Sequence, residues 1–329
     1  MNKFIVITSI FEPTEAVRKF GSLPDYNLIV VGDKKSPKDW NVQNVDFLSV
    51  VNQENAGFKL SSIMPYNHYC RKMFGYLHAI KQGAEIIIDT DDDNIPKPNW
   101  NFPEFAGSFN FIPENTGQVN IYELFTDQKI WPRGFPLRLI TSKTISRESI
   151  AVKESKIGIW QGLADEDPDV DAIYRLTSNE FCDFRNEPPV VLGKQTICPF
   201  NSQNTAFRKE LFVLLYMPTY VTFRFTDILR GLVAQPIMWL YDLQLGFTHA
   251  TVVQKRNAHD FMKDFESEIP MYLHAEKVIH IVSESISSRY TIEDNLYRAY
   301  EALNRNNIVD KKELDTLNAW IGDYKTVSN

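Results

Sequence analysis

The chain has 329 residues, 43% of them hydrophobic and 13% aromatic, with a formal net charge of −7. That length suits one large domain, or one domain with a smaller companion, and the acidic balance argues against nonspecific nucleic-acid binding, which needs a net basic face. Three cysteines with no C-x-x-C pair argue against a zinc site or a disulfide framework and make a reducing compartment the expectation.

Taken in chain order, "KFIVITSI" (3–10) and "NLIVVGD" (27–33) are β-branched runs that end in polar or turn residues. They predict buried parallel strands, with a short helix over "EPTEAVRKFGSL" between them. A third strand is predicted over "NVDFLSV" (44–50). In "MPYNHYCRKMFGYLHAIKQGAE", Tyr69, Met73, Leu77 and Ile80 recur at helical spacing and Gly83 supplies a C-cap. Arg71, Lys72, Gly75 and His78 lie on another face. A further strand follows over "EIIID". From 100 to 200 the Pro-, Asn- and Asp-rich text predicts long loops and irregular strands over a sheet. "TDILRGLVAQPIMWLYDLQLG" (226–246) predicts a helix interrupted near Pro236. The end of the chain reads as helical, with Thr291/Asp294 and Asp310/Glu313 as capping boxes. No apolar run approaches the ~20 residues that cross a bilayer, and "MNKFIVITSIFEP" lacks the length and cleavage site of a secretory signal. A soluble, cytoplasmic protein is expected.

The stretch "EIIIDTDDDN" (85–94) carries the chemistry. Asp89, Asp91, Asp92 and Asp93 crowd the end of an apolar strand, where each raises its neighbours' pKa unless a cation or strong donors compensate. A dehalogenase-type phosphatase wants D-x-D-x-T/V, but Asp93 stands in the last place. An EF-hand loop begun at Asp89 would need Gly and Glu where Asn94 and Trp100 stand. The D-x-D element of GT-A glycosyltransferases fits, with Asp91 as direct ligand of Mn²⁺ or Mg²⁺ and Asp89 supporting the ribose or the metal; the plain alternative is a solvated acidic turn. On this reading Thr8, Asp33, Arg71, Gly75, Asp89, Asp92 and Arg230 are expected to border the nucleotide sugar. Asp33 is alternatively a turn former and Arg71 a surface arginine.

The block "PYNHYCRKMFGYLHAIKQGAEIIIDTDD" resembles a segment of the STELLO glycosyltransferase-like family. "WPRGFPL" (131–137), "DPDVDAIYRLT" (167–177), "PFNSQNT" (199–205) and "DILRGLVAQPIMW" (227–239) resemble further blocks in the same order. "GLADEDPDVDA" also resembles the reversibly glycosylated, UDP-arabinose mutase-type proteins. The resemblance implies a GT-A fold, a Rossmann-like mixed sheet flanked by helices. It further implies a UDP- or GDP-sugar donor, a glycan acceptor and a divalent metal. STELLO proteins carry an N-terminal Golgi anchor that this chain does not display, so a stand-alone microbial or viral relative is expected. The core is expected over 1–255, with a lid segment and a C-terminal helical region over 256–329.

In "FTDILRGLVAQPIMW", an acid precedes Arg230, Gln235 and Trp239 at helical intervals, reminiscent of inverting sugar polymerases. Asp227 is the expected general base, or else a helix-dipole aspartate; Asp167, Asp169 and Asp171 are its rivals. His259 is either a metal or diphosphate ligand or a structural histidine. Arg133 and Arg138 are either phosphate or acceptor contacts or surface charges. A metal-dependent, inverting glycosyltransferase is the leading expectation. A self-glycosylating nucleotide-sugar mutase and a noncatalytic assembly factor that keeps the donor pocket are the alternatives.

Overall fold

A computed structural model of the chain describes residues 1–256 and 260–328. The expected opening is present as β1 (Lys3–Thr8), α1 (Glu15–Gly21) and β2 (Tyr26–Val31), then β3 (Val45–Leu48), α2 (Val50–Glu54), α3 (Lys72–Lys81) and β4 (Ile86–Thr90). Thr14 caps α1 by accepting the Val17 N–H. The four strands run parallel in the order β3-β2-β1-β4, with Ile5 opposite both Leu28 and Ile88. Helix α3 lies close against this sheet because Gly75 has no side chain: a Cβ there would sit 2.5 Å from Val6 Cγ1 and 2.7 Å from Val31 Cγ2.

The middle of the chain departs from expectation. It holds β5 (Asn94–Pro96), β6 (Ala106–Ile112), β7 (Gly117–Gln118), β8 (Ala151–Glu166), α4 (Ala172–Thr177), β9 (Val190–Leu192), β10 (Thr196–Ile197) and β11 (Asn204–Arg208). Sixteen-residue β8 is the long strand that the loop-rich reading missed. Its first part is polar and exposed, and its second part is buried on both faces, so neither half alternates as a half-buried strand does. β11 runs antiparallel between β4 and β8 and joins the parallel quartet to the rest of a ten-stranded mixed sheet.

Two further expectations are corrected. α5 (Thr226–Trp239) passes through Pro236 without interruption, because every one of its residues is buried and tertiary packing outweighs the lost N–H. After it, β12 (Gln244–Gln254) is a strand rather than more helix, paired in parallel with β8. The chain ends in α6 (Phe261–Ser285), α7 (Ile292–Arg305) and α8 (Lys311–Val327), the expected helical extension. Thr291 accepts the Asp294 N–H as predicted. Glu313 does not close a capping box with Asp310. Its carboxylate is buried and accepts from the N–H groups of Thr219 and Tyr220. Asp323 likewise accepts from the N–H groups of Lys59 and Leu60, and Trp320 donates to the Val213 carbonyl. Among the described residues no helix is long and apolar enough to cross a membrane.

Candidate active site

A cleft of about 370 Å³ opens at the carboxyl ends of β1, β2 and β4, lined there by Thr8, Val31 and Asp91. Ligands bind at such strand ends in open α/β sheets. The turn after β4 sends its acids two ways. Asp91, Asp92 and Asp93 line the cleft, whereas Asp89 lies beneath it, wholly buried. Lys72 of α3 and Arg230 of α5 hold the two Asp89 oxygens at 2.6 and 2.7 Å. This placement corrects two expectations. Neither Asp89 nor Arg230 reaches the cleft, since each neutralises the other underneath it. Gly75 is likewise a packing residue between α3 and the sheet.

Lys72 ties the two levels together. Its Nζ also donates to Asp91 Oδ1 at 3.0 Å and to the Thr90 carbonyl at 2.6 Å, and Tyr69 donates to the same Asp91 oxygen at 2.9 Å. Asp92 accepts from Ser9 Oγ at 2.5 Å, and among the described residues the Asp93 carboxylate accepts only long bonds from Gln254 Nε2, at 3.3 and 3.4 Å. Burial pushes the Asp91 carboxyl up despite Lys72, and it raises Asp92 against the Ser9 bond. Burial and then the neighbouring Asp91 and Asp92 push Asp93 up to about 7. Asp89 goes the other way: Lys72 and Arg230 outweigh burial and hold its carboxyl below the usual range.

Three raised carboxyls face one cleft, and although Lys72 acts on Asp92 and Arg256 on Asp93 from a distance, neither acid forms an ion pair among the described residues; together they are hard oxygen donors suited to Mg²⁺ or Mn²⁺. Among the described residues no three acidic, histidine or cysteine side chains converge to hold a metal ion by themselves. That fits a cation bound by one or two carboxylates and completed by phosphate oxygens of a ligand. His259 lies outside the described residues.

Thr8 and Asp33 also line the cleft. Asp33 accepts the N–H groups of Lys34 and His68, one on each oxygen, at 2.7 and 2.9 Å. Each oxygen keeps a further lone pair for another donor. Phe11 and Phe223 stand 47% and 59% exposed at the cleft margin, so their ring faces are open to a ligand. Arg71 touches the cleft, but its guanidinium is engaged by Gln53 Oε1 at 2.8 Å and by the carbonyls of Met64 and Pro65 at 3.4 Å.

Across the cleft a carboxylate–guanidinium–carboxylate bridge joins three chain segments. Arg133 donates to both oxygens of Asp169, at 2.7 to 3.1 Å, and to both oxygens of Asp227, at 3.0 and 2.8 Å. Gly134, at φ +87°, makes the turn that brings Arg133 in, and a Cβ there would sit 2.5 Å from Ile228. Asp227 also accepts the Ser202 N–H and Asp169 accepts from Asn201. Burial raises the Asp169 carboxyl, but Arg133 and Arg224 outweigh it and bring it down to about 2. Asp167 does not line the cleft; Arg175 pairs with it. Asp171 caps α4 and accepts from Trp131. Arg138 is exposed and pairs with Glu276.

Of the residues named as candidates from the sequence, Thr8, Asp33, Arg71, Asp91, Asp92, Arg133, Asp169 and Asp227 line one cleft. Sequence reasoning assigned no site role to Lys72, Ser9, Gln254, Arg224 and Arg256. Lys72 was legible as a basic residue on the unexplained face of α3, the helix that leads into the strand carrying the acids it serves. The others join the cleft through strand and loop pairings that no local pattern encodes.

Fold and cleft together define an α/β protein, a large mixed sheet flanked by helices, with a cleft at its strand ends and a helical C-terminal extension. The sequence model of a family described as "STELLO glycosyltransferases" matches residues 224–329. "Probable glycosyltransferase STELLO1" of Arabidopsis thaliana is 27% identical, covering 99% of this chain and 44% of that protein. "Probable glycosyltransferase STELLO2" of the same plant is 30% identical, covering 72% of this chain and 34% of that protein. A crystal structure titled "Crystal Structure of a Mycobacterial Protein" is 12% identical with a TM-score of 0.42, covering 83% of this chain and 74% of that one. The chain is similar to the STELLO glycosyltransferases over most of its length, and it spans less than half the length of the curated relatives it matches.

Proposed function

We propose that this chain is a metal-dependent glycosyltransferase that moves a sugar from a UDP- or GDP-sugar to a glycan hydroxyl. The observation that carries the reading is the cleft itself. At the strand ends it opposes three cation-seeking carboxylates, Asp91 to Asp93, to the Asp169–Arg133–Asp227 bridge. Asp91 and Asp92 would hold the Mn²⁺ or Mg²⁺. Such an ion supplies charge neutralisation for a departing diphosphate. Lys72 fixes Asp91 in place and Ser9 fixes Asp92 by a hydrogen bond, each opposing the rise that burial imposes on the carboxyl it holds. Asp33 receives an N–H of the base, and Phe11 or Phe223 covers a ring of the ligand.

Arg133 occupies both oxygens of Asp227. In this reading Asp227 and Asp169 position Arg133 at the cleft wall, and proton removal from the acceptor is not assigned to Asp227. The test is incubation with a panel of UDP- and GDP-sugars and Mn²⁺, with and without glycan acceptors, followed by NMR of the products. Sugar transfer that stops when EDTA is added is expected. Donor ring interconversion without an acceptor would replace the reading with a mutase, and no consumption of any donor would overturn it.

A further inference from the structure

Four guanidinium groups gather around Asp167 and Asp169, and three of them are paired. Arg133 bridges Asp169 and Asp227, Arg175 pairs with Asp167, and Arg224 pairs with Glu268 at 2.9 Å. Arg256 is the fourth. Its side chain is only 7% exposed, yet its nearest carboxylate oxygens lie 3.6 Å away on Asp167 and 4.0 Å away on Asp169. Both are already committed to other arginines. Among the described residues its Nε and Nη1, both buried, have no hydrogen-bond partner, and the side chain lines the cleft. Arg175 and Arg230 also leave Nε without a partner, but each holds a carboxylate directly through another nitrogen, and neither lines the cleft.

From this deficit we propose that Arg256 is the seat of an oxyanion, a phosphate or carboxylate group of the ligand that fills the cleft. A guanidinium offers a planar fork of donors that matches both groups, and buried donors of this kind are rarely left unmet. The local field agrees. Burial, and then Arg224 and Arg175, lower its pKa against the pull of Asp169 and Asp167, so an anion seated here would relieve the repulsion among the neighbouring guanidinium groups. Asp93 and Gln254 stand on the same side of the cleft, since Gln254 donates to Asp93 and Lys255 N–H donates to the Asp93 carbonyl. The oxyanion has two sources on the transferase reading, on which the choice between them rests: the diphosphate of the donor, or an acidic group on the acceptor.

The experiment uses inorganic phosphate, pyrophosphate and glucuronate as probes, titrated by calorimetry onto the whole chain and onto Arg256→Gln and Arg256→Lys. At least one probe is expected to bind the native chain and to lose tenfold or more in affinity in Arg256→Gln. The loss should be smaller in Arg256→Lys, which keeps the charge without the fork. If Arg256→Gln does not fold, a severalfold loss in Arg256→Lys supports the proposal in its place. Repeating the titration with UDP, GDP and Mn²⁺ present separates the sources. A probe displaced by the nucleotide, together with weaker nucleotide binding in the variant, assigns the seat to the donor. A probe that still binds the nucleotide-loaded protein through Arg256 assigns it to an acidic acceptor. Binding of phosphate through Arg256 without any nucleotide binding would keep the seat and sink the transferase reading. Probes that bind the variants as tightly as the native chain, or not at all, overturn the proposal.

Discussion

Lys72 and Asp89 form an ion pair at 2.6 Å in which neither side chain is exposed to solvent. Removing one partner of a buried pair leaves an uncompensated charge, and Asp89 would keep only Arg230. Lys72→Met is therefore expected to lower stability by about 3–5 kcal/mol, measured by urea unfolding. A loss under about 1 kcal/mol would mean that water or rearrangement replaces the lysine.

Acid stability has a defined source in Asp169. Its carboxyl is brought to about 2 from an ordinary 3.8. A lowered folded-state pKa contributes stability that is complete above about pH 4 and is lost as pH falls through about 2. The difference is worth about 2 kcal/mol. Asp169→Asn should flatten the fall in urea midpoint between pH 5 and pH 2. An unchanged slope would contradict the role given to Arg133.

Asp227 separates holding from proton transfer. If it serves to hold Arg133, Asp227→Asn and Arg133→Met should each lower the melting temperature and reduce transfer by similar factors. A general base is worth ~10²–10⁴-fold in rate. A loss of that size in Asp227→Asn at native melting temperature, with Arg133→Met nearly active, would restore it as the base.

The C-terminal helices are tied to the cleft through Glu313. Its carboxylate accepts from the Thr219 and Tyr220 N–H groups and from the Tyr216 hydroxyl, just ahead of Phe223 and Arg224 in the chain. Glu313→Ala leaves the buried Thr219 N–H unmet, at about 1–3 kcal/mol, and removes the acceptor of the part-buried Tyr220 N–H. The expected outcome is a melting temperature lowered by several degrees and weaker nucleotide binding, read by thermal unfolding with and without UDP or GDP. Native stability would show that water satisfies the same groups.

Much of this was legible in the sequence. The β-branched runs of β1, β2 and β4 and the Asp cluster after β4 pointed to a strand-end site, because both signals are local. What stayed hidden depends on distant partners. Asp89 looked like its neighbours until Lys72 and Arg230 were seen to enclose it. Pro236 looked like a break until its helix proved buried all round. β8 escaped because its two halves follow different burial patterns, and Arg133, Asp169 and Asp227 meet only through the fold.

The central claim is that a divalent ion and a nucleoside diphosphate share the cleft through Asp91 and Asp92. Isothermal titration of UDP and GDP, with and without Mn²⁺, on the native chain and on Asp91→Asn and Asp92→Asn, tests it directly. At least one nucleotide should bind tenfold or more tightly with Mn²⁺, a gain of about 1.4 kcal/mol or more, and that gain should vanish in Asp91→Asn. Equal affinity with and without the metal for both nucleotides, or a gain that survives both substitutions, would contradict the account.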